Sequence, residues 1–371
     1  MRKMLVRETV LVLAAAVIAA GMLASCSMDD VNMPYSPYFK IEKRDGVYVA
    51  CGIYEDRIPA DGKIVIPDGV ELDETWDAVY DKSDKRPGRN LDSSKVNSIS
   101  IPAGAGSMTF SNIAGSALFV ENIDIIYRGN LTDWCEHGDL SGGLYLAKSI
   151  QVDGGRIDPR MLEKITAAEI AGAKRIGDYA FSRCEKLTSV EIPHSVTDIG
   201  EYAFSSCSEL ATVTIGSGVT KIGEAAFSSS GLTTVEIPDS VTEIGGSAFS
   251  GCAGLTTLEI PDSVTKIGEW AFNRCDELTS VTIGNGVKEI GDRAFQECYR
   301  LMTVTIGSGV TEIGQYAFRN CYRLDSVTFA ETKGWYSADL DGNEEPVDFS
   351  DPKNNASILT HEHTAFVRKT K

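Results

Sequence analysis

Apolar positions recur in seven similar copies between about Ile176 and Phe329, at steps of 22 or 23 residues. Each copy keeps an Ile-Gly pair, an Ala-Phe pair, a Leu and an apolar-x-apolar run. A Cys stands between the Phe and the Leu in six copies. One copy, residues 241–261, reads VTEIGGSAFSGCAGLTTLEIP. A unit this short cannot bury its own apolar face, so a fixed period in this range predicts a solenoid of stacked coils.

Two elements are predicted within each copy. Apolar residues alternate with Ser and Thr over residues 279–284, which is typical of a strand with one buried face. Between Gly268 and Cys275 the apolar positions are three to four residues apart, which favours one helical or 3-10 turn. Gly and Pro mark the corners. We therefore predict an α/β solenoid with a parallel β-sheet on one face and short helical or 3-10 turns on the other.

The first residues have the composition of an export signal. Arg2, Lys3 and Arg7 precede an apolar stretch over residues 10–20 that is too short to span a bilayer comfortably. The stretch ends at Leu23-Ala24-Ser25-Cys26, which resembles the lipobox of bacterial lipoproteins, in which this Cys carries the lipid. An ordinary signal peptide with an incidental Cys is the alternative. Residues 27–30, Ser-Met-Asp-Asp, resemble the export tag of surface lipoproteins in Bacteroides-type bacteria.

The sequence pattern divides the whole chain into five segments. We expect a signal peptide over residues 1–25, a lipid-anchored tether over 26–40, a β-rich N-terminal region over 41–165, the solenoid over 166–330 and a C-terminal cap over 331–371. Short β-like runs such as residues 63–66 and 98–101 end in Ile-Pro, as the repeats do. They indicate degenerate coils or an irregular cap over the first open end of the solenoid. A separate small β domain is the alternative.

The charge limits the class of partner. The 371 residues carry a formal net charge of −18 and are 43% hydrophobic. A chain this acidic is not a general nucleic-acid or anionic-membrane binder. We therefore expect membrane attachment through the N-terminal lipid alone.

The repeated Cys position predicts free thiols. Side chains at one position of stacked coils point the same way and lie about 4.8 Å apart, whereas the Cβ atoms of a disulfide lie about 3.8 Å apart. A buried thiol also packs as a small hydrophobe. The position is occupied by Cys184, Cys207, Cys252, Cys275, Cys298 and Cys321, and by Ser230 in the shortened copy. Whether Cys51 and Cys135 pair with each other stays open.

The repeat resembles a known family. Its pattern, C-x-x-L-T-x-V-x-I-P-x-x-V-T-x-I-G-x-x-A-F, is similar to the BspA-like leucine-rich repeat of bacterial surface proteins. Gly334-Trp335-Tyr336 and residues 351–356 resemble the C-terminal cap of that family. The resemblance implies a right-handed, horseshoe-like solenoid and a role in adhesion to host matrix proteins or other cells.

Catalytic patterns are weak. Cys135 and His137 lie two residues apart on one chain, whereas a nucleophile and its base are usually assembled from distant segments. His361 and His363 supply at most two metal ligands. Residues 339–350 imitate a calcium loop, but its Gly is misplaced and Ser350 occupies the position of the final Glu. We expect a non-enzymatic protein with no cofactor and no metal.

Two faces are candidates for binding. The outward positions of the predicted sheet are mostly Thr and Ser, whereas the turn edge carries Tyr, Trp and Arg, the residue types enriched at binding hot spots. In the alternative interpretation, the tyrosines cover the turn and stack on each other. A glycan-binding accessory role in polysaccharide uptake is the alternative function, and we expect a monomer. The candidate residues are Tyr202, Trp270, Arg293, Tyr299, Arg300, Tyr316, Tyr322 and Arg323.

Overall fold

The computed structural model describes most of the chain from Phe39 onward. The described residues are 39–44, 47–53, 57–60, 62–68, 70–72, 96–105, 123–141, 146–152, 154–155, 157–338, 344–361 and 365–369. The signal segment, the tether up to residue 38 and Cys26 lie outside them. Within these residues no helix is both long and apolar enough to cross a membrane.

The N-terminal region contains parallel strands stacked in register. Strand β2 pairs antiparallel with β1 and parallel with β4. Strands β3, β5, β6 and β7 form one parallel sheet in which Ile64, Ile99, Ile125 and Ile150 are aligned. The elements are β1 (Phe39–Arg44), β2 (Val47–Ile53), β3 (Lys63–Val65), β4 (Val70–Leu72), β5 (Ser98–Ile101), β6 (Asp124–Tyr127), helix α1 (Leu131–His137), β7 (Ser149–Gln151) and a 3-10 helix (Pro159–Met161).

The repeats form a parallel solenoid with two strands in each coil, and the predicted solenoid fold is confirmed. The even-numbered strands form the front sheet and the odd-numbered strands the rear sheet. In chain order the strands are β8 (Lys164–Ile165), β9 (Arg175–Ile176), β10 (Ser189–Glu191), β11 (Asp198–Ile199), β12 (Thr212–Thr214), β13 (Lys221–Ile222), β14 (Thr234–Val235), β15 (Glu243–Ile244), β16 (Thr257–Ile260), β17 (Lys266–Ile267), β18 (Ser280–Ile283), β19 (Glu289–Ile290), β20 (Thr303–Ile306), β21 (Glu312–Ile313) and β22 (Ser326–Phe329).

The segment after Ile-Gly is a run of turns, where the sequence favoured a helical or 3-10 turn. The N–H groups of Ala271 and Asn273 bond to carbonyls three residues back, as in a 3-10 helix. The N–H groups of Trp270, Phe272 and Arg274 instead bond to the next coil. Trp270 and Arg274 have φ angles of 60° and 56°, in the left-handed region. A continuous helix would direct every N–H along its own axis, so the left-handed residues allow these segments to bond coil to coil.

The core of the solenoid is built from identical layers. The seven Phe side chains of the repeats are fully buried, and successive rings stack with centroids 5.2 to 5.4 Å apart. Truncation of such a Phe to Ala typically costs about 3–5 kcal/mol. At Gly268 a Cβ atom would lie 2.5 Å from main-chain atoms of Gly245 and Gly246. The coils approach too closely here for any side chain, which explains the Ile-Gly pair.

The thiols of the Cys column are free and buried. The Sγ atoms of Cys207, Cys252, Cys275, Cys298 and Cys321 each donate to a Phe carbonyl oxygen of the preceding coil, at 3.1 to 3.4 Å. Burial raises the pKa of Cys252 to about 11 and that of Cys207 to about 12. The thiols are therefore core groups held in their neutral form.

The shortened coil interrupts the front sheet. It lacks one residue between Ser230 and Leu232, and the sheet divides into β8–β10–β12–β14 and β16–β18–β20–β22. In the first regular coil the N–H of Ile192 bonds to Thr214 at 2.9 Å. Across the fully described residues 157–338, the corresponding main-chain N–H of Ile237 has no such partner. We call this break the seam. The rear sheet runs past it unbroken.

Both ends of the rear sheet are covered. At the N-terminal end Gly177 N–H bonds to the carbonyl of Cys135 in α1, and Trp134 Nε1 donates to Ala180 O at 2.8 Å. At the other end β25 pairs antiparallel with β21, followed by β23 and β24. The C-terminal elements are β23 (Trp335–Ala338), β24 (Glu344–Val347), helix α2 (Pro352–His361) and β25 (Ala365–Arg368). Covering the edges removes unpaired strands that would otherwise promote association.

Candidate binding surface

One position of every coil has a left-handed backbone, and its side chain is at least partly exposed in every coil except that of Ala225. It lies two residues after the Gly of Ile-Gly, and we call it the left-handed column. Its φ angles lie between 50° and 60° in all seven coils, which carry Tyr179, Tyr202, Ala225, Ser247, Trp270, Arg293 and Tyr316. The left-handed conformation costs a non-glycine residue roughly 1–2 kcal/mol. Since Ala225 and Ser247 adopt it too, the coil imposes the conformation and leaves the choice of side chain open.

Three members of this column form a continuous stack. The Arg293 guanidinium lies 4.9 Å from the Trp270 ring and 5.1 Å from the Tyr316 ring. Arg319 lies 5.1 Å from the Tyr316 ring. Each such contact stabilises an exposed site by about 0.5–1 kcal/mol. The contacts therefore offset part of the backbone cost and hold the rings edge-outward.

Glu269 lies beside this stack. Its Oε1 atom accepts hydrogen bonds from Trp270 Nε1 at 2.7 Å and from Arg293 Nη1 at 3.3 Å. The guanidinium of Arg293 thus contacts an aromatic ring on each face and the Glu269 carboxylate at one edge. Its contribution is to position the two rings, while the rim of Trp270 and the charge of Arg319 stay open to a partner.

Tyr202 belongs to a separate stack. Its ring is parallel to that of Tyr179, with centroids 4.8 Å apart. Ala225 and Ser247 separate this pair from Trp270 along the column. Burial raises the pKa of both tyrosines, with neighbouring carboxylates adding to the effect. The alternative interpretation, that tyrosines cover the turn and stack on each other, describes this pair well.

A second column follows the Cys position. The rings of Tyr299 and Tyr322 are parallel with centroids 6.0 Å apart. Tyr299 donates its hydroxyl proton to Glu297 at 3.0 Å, and this bond raises the pKa of Tyr299. Tyr322 is 76% exposed. These two rings present more open aromatic surface than the Tyr179–Tyr202 pair.

The two remaining candidate arginines differ in their surroundings. Arg300 is paired with Glu277 of the preceding coil. Arg323 is exposed, and its side chain has no partner among the described residues. Surface ion pairs contribute little to stability, typically 0–1 kcal/mol, so the pairing of Arg300 mainly orients its charge. Arg323 is the more available cation.

Sequence reasoning missed three groups at this surface. Arg319 contacts Tyr316, Glu269 contacts Trp270 and Arg293, and Glu277 contacts Arg300. The contacts of Glu269 with Arg293 and of Glu277 with Arg300 are found by aligning the copies and comparing residues one coil apart, because side chains at neighbouring positions of adjacent coils meet. Arg319 follows Tyr316 by three residues in the same coil.

The weak catalytic patterns take structural roles. Cys135 is fully buried in α1, and burial raises its pKa well above the ordinary value of a thiol. His137 Nδ1 lies 3.1 Å from Asp133 O. His194 accepts the N–H of Ser217 through Nδ1 at 3.1 Å, joining two corners. Among the described side chains no group of three or more His, Cys, Asp or Glu is arranged to hold a metal ion. His363 and residues 339–343 lie outside the described part.

The fold defines the class of protein as a leucine-rich-repeat solenoid with stacked columns of Phe and Cys side chains. The model of the BspA type leucine-rich repeat region matches in six copies over residues 161–276 and 243–334. The chain belongs to this family.

Three solved structures illustrate the likeness. The Treponema pallidum leucine-rich-repeat protein is 32% identical over 41% of this chain and 72% of its own, with a TM-score of 0.37. A Bacteroides ovatus leucine-rich-repeat protein is 23% identical over 79% and 93%, with a TM-score of 0.30. A leucine-rich cell surface protein of Faecalibacterium prausnitzii is 20% identical over 82% and 97%, also with a TM-score of 0.30. None of the curated proteins compared with the chain matches it.

Proposed function

We propose that this protein is a non-enzymatic cell-surface adhesin that binds host matrix proteins or proteins of other cells. The stack of Trp270, Arg293 and Tyr316 is the observation that carries the proposal. It places Trp, Arg and Tyr, the residue types that dominate binding energy at interfaces, at positions where the coil accepts Ala or Ser. The side chains are therefore not required by the fold.

The partner is expected to meet the turn edge from Trp270 to Arg323. Arg319 and Arg323 stand on a chain of net charge −18, so they form a local positive region on an acidic background. An acidic protein segment with apolar side chains complements that surface. The front sheet offers Thr282, Thr305 and Thr328, whose exposed hydroxyls form hydrogen bonds but supply no buried anchor.

The proposed location is the outer membrane, with the body exposed to the outside. The lipobox-like run ending at Cys26 supports lipid attachment, and the family and the cell surface protein of Faecalibacterium support exposure. The lipid then provides the membrane contact and the repeats provide the recognition.

The test is a binding screen followed by two matched variants. Purified residues 27–371 are screened against matrix proteins and a glycan array, and the strongest partner is titrated. We expect Trp270→Ala, and the pair Tyr299→Ala and Tyr322→Ala, to weaken binding of a protein partner about tenfold or more, the loss typical of a hot spot. Ala is tolerated at the Trp270 position, since Ala225 occupies it in another coil.

The control is the triple variant Thr282→Ala, Thr305→Ala and Thr328→Ala. We expect it to keep its affinity and its melting temperature. Loss of binding in the triple variant, with retention in the aromatic variants, would place the binding face on the front sheet. Binding to glycans alone would replace the adhesin with the accessory protein of polysaccharide uptake.

A further inference from the structure

A cavity of about 430 Å³ lies between the last coil and helix α2. Its lining includes Asn320, Tyr322, Leu324 and Asp325 from the coil, and Lys353 and Ala356 from α2. The volume falls in the range of about 300–1,000 Å³ that is usual for small-molecule sites. It arises because the repeat ends here and a helix, not another coil, continues the chain.

The walls of this cavity are held in place. Asn355 is fully buried in α2 and its Nδ2 atom donates to Val327 O at 2.8 Å and to Phe349 O at 3.0 Å. Ala356 and Leu359 pack against the core on the same helix. The helix is therefore pinned to strand β22, and the cavity exists before any ligand arrives, which reduces the ordering cost of binding.

One wall is an open aromatic face. The Tyr322 ring stacks on Tyr299 with an interplanar angle of 6°, and the stack sets its orientation. In the preceding coil Tyr299 is half-buried, since the next ring covers it. No further coil covers Tyr322, which remains 76% exposed.

Polar groups surround that face. The side chains of Asn320, Asp325 and Lys353 have no hydrogen-bond or ion-pair partner among the described residues, and all three line the cavity. Together they offer donors and acceptors: an amide, a carboxylate and an ammonium group. Leu324 and Ala356 add apolar contact.

The aromatic face of Tyr322 and the polar groups around it together favour one class of ligand over others. An apolar side chain or acyl chain would cover the ring but displace water from three polar groups without replacing its hydrogen bonds, which weakens binding. A simple anion would meet Lys353 but be repelled by Asp325. A sugar ring has a flat C–H face for Tyr322 and a rim of hydroxyls, each both donor and acceptor, for the polar groups.

We propose that this cavity binds a single pyranose ring at the end of a glycan chain, with the C–H face of the sugar on Tyr322 and its hydroxyls on Asn320, Asp325 and Lys353. The site is distinct from the proposed protein-binding stack, which lies around Trp270. The two share the surface only at Tyr322, so either can fail without the other.

The experiment uses ligand-observed saturation-transfer NMR on the full chain, purified in a detergent without a sugar head group. The probes are the methyl glycosides of glucose, galactose, mannose and N-acetylglucosamine, with cyclohexanol as an apolar ring of similar size. We expect at least one glycoside to bind with a dissociation constant on the order of 1 mM, as befits a small ligand on one aromatic face. Cyclohexanol should bind at least tenfold more weakly.

Two variants test the assignment, and two further variants are controls. Tyr322→Ala and Lys353→Ala should each weaken glycoside binding by about tenfold. The exposed Lys186, in the post-Cys loop of the first coil and outside the cavity lining, provides the control Lys186→Ala, which should bind as the parent does. Trp270→Ala should also leave glycoside binding unchanged, which separates this site from the adhesin surface. The proposal is overturned if no glycoside binds, if cyclohexanol binds equally well, or if Tyr322→Ala and Lys353→Ala bind as the parent does while remaining folded by circular dichroism.

Discussion

At the residue scale, the distance between stacked coils keeps the column cysteines as free thiols, because it exceeds the Cβ separation of a disulfide. Five of the six column thiols donate to a Phe carbonyl of the preceding coil, and Ser230, at the third of the seven positions, contacts Cys252 Sγ at 3.3 Å. The carbonyls concerned are buried, and a buried acceptor without a partner costs free energy. The column therefore contributes hydrogen bonds as well as volume to the core.

These thiols predict a loss of stability in alkali. Burial raises the pKa of Cys252 to about 11 and that of Cys207 to about 12, from an ordinary value of 9.0. The unfolded chain releases these protons first, so their contribution is fully present below pH 9 and is lost as the pH rises from 9 towards 11 and 12. We expect the melting temperature to be constant between pH 7 and 8.5 and to fall above pH 9.

The variant Cys207→Ala with Cys252→Ala is the control. It should be less stable at pH 7 but fall less steeply above pH 9, since two of the titrating thiols are gone. Titration of the tyrosines contributes equally to both proteins, so it does not affect the difference between their curves of melting temperature against pH. Parallel curves for the two proteins would show that these thiols do not titrate with unfolding.

The sequence predicted the structural roles of the repeat residues more fully than those of any other part of the chain. Each Phe, Leu and Cys recurs at a fixed step, so their common burial followed from periodicity alone. The left-handed angle at Trp270 did not follow, because Trp, Arg and Tyr are not residue types that favour it. Only the interlocking of neighbouring coils imposes that angle, and no single copy contains that information.

At the element scale the seam is the weakest feature of the front sheet. Coil 222–243 is one residue shorter than the others, and β14 has only two residues, with no ladder to β16. Sequence reasoning identified the shortened copy but not its effect. A missing residue on one side of a coil shifts only the strand that follows it, so the rear sheet stays continuous.

Lengthening this coil should repair the sheet. Inserting one Ala between Ser230 and Gly231 reproduces the Ala-Gly-Leu run at residues 253–255 of the next coil. We expect β14 to extend and pair with β16, the amide of Ile237 to exchange more slowly, and stability to rise by about 0.5–1.5 kcal/mol for each new main-chain bond. Hydrogen exchange followed by mass spectrometry measures this.

The matched control inserts one Ala between Cys275 and Asp276, in a coil of full length. That insertion should open a break of the same kind and lower the melting temperature. If the amide of Ile237 still exchanges rapidly in the lengthened protein, coil length is not the cause of the seam.

At the scale of the whole molecule the ends differ from the repeats. Helix α1 covers the first rear strand, β9, and β25 continues the rear sheet by pairing antiparallel with β21. The sequence indicated caps at both ends from departures in pattern. It did not indicate an antiparallel closure or the cavity beneath α2, since both depend on long-range packing of a segment that occurs once.

The proposed anchoring of the whole molecule rests on one residue, Cys26. We expect Cys26→Ala to abolish lipid attachment and to leave the protein soluble or unprocessed, because the proposal makes this thiol the acceptor of the lipid. Incorporation of radiolabelled fatty acid in growing cells measures this, with the parent protein as the positive control. Label retained in the variant would contradict the lipoprotein assignment.

The left-handed column has a consequence for how such a protein changes over generations. Its backbone is set by the neighbouring coils and its side chain is not, so a coil can be duplicated, lost or exchanged in frame and still stack. Each such event moves a whole ring or charge along the edge by one step. A single recombination between near-identical repeats in the gene would therefore reorder the outward surface at once, while the Phe and Cys layers beneath it stay the same.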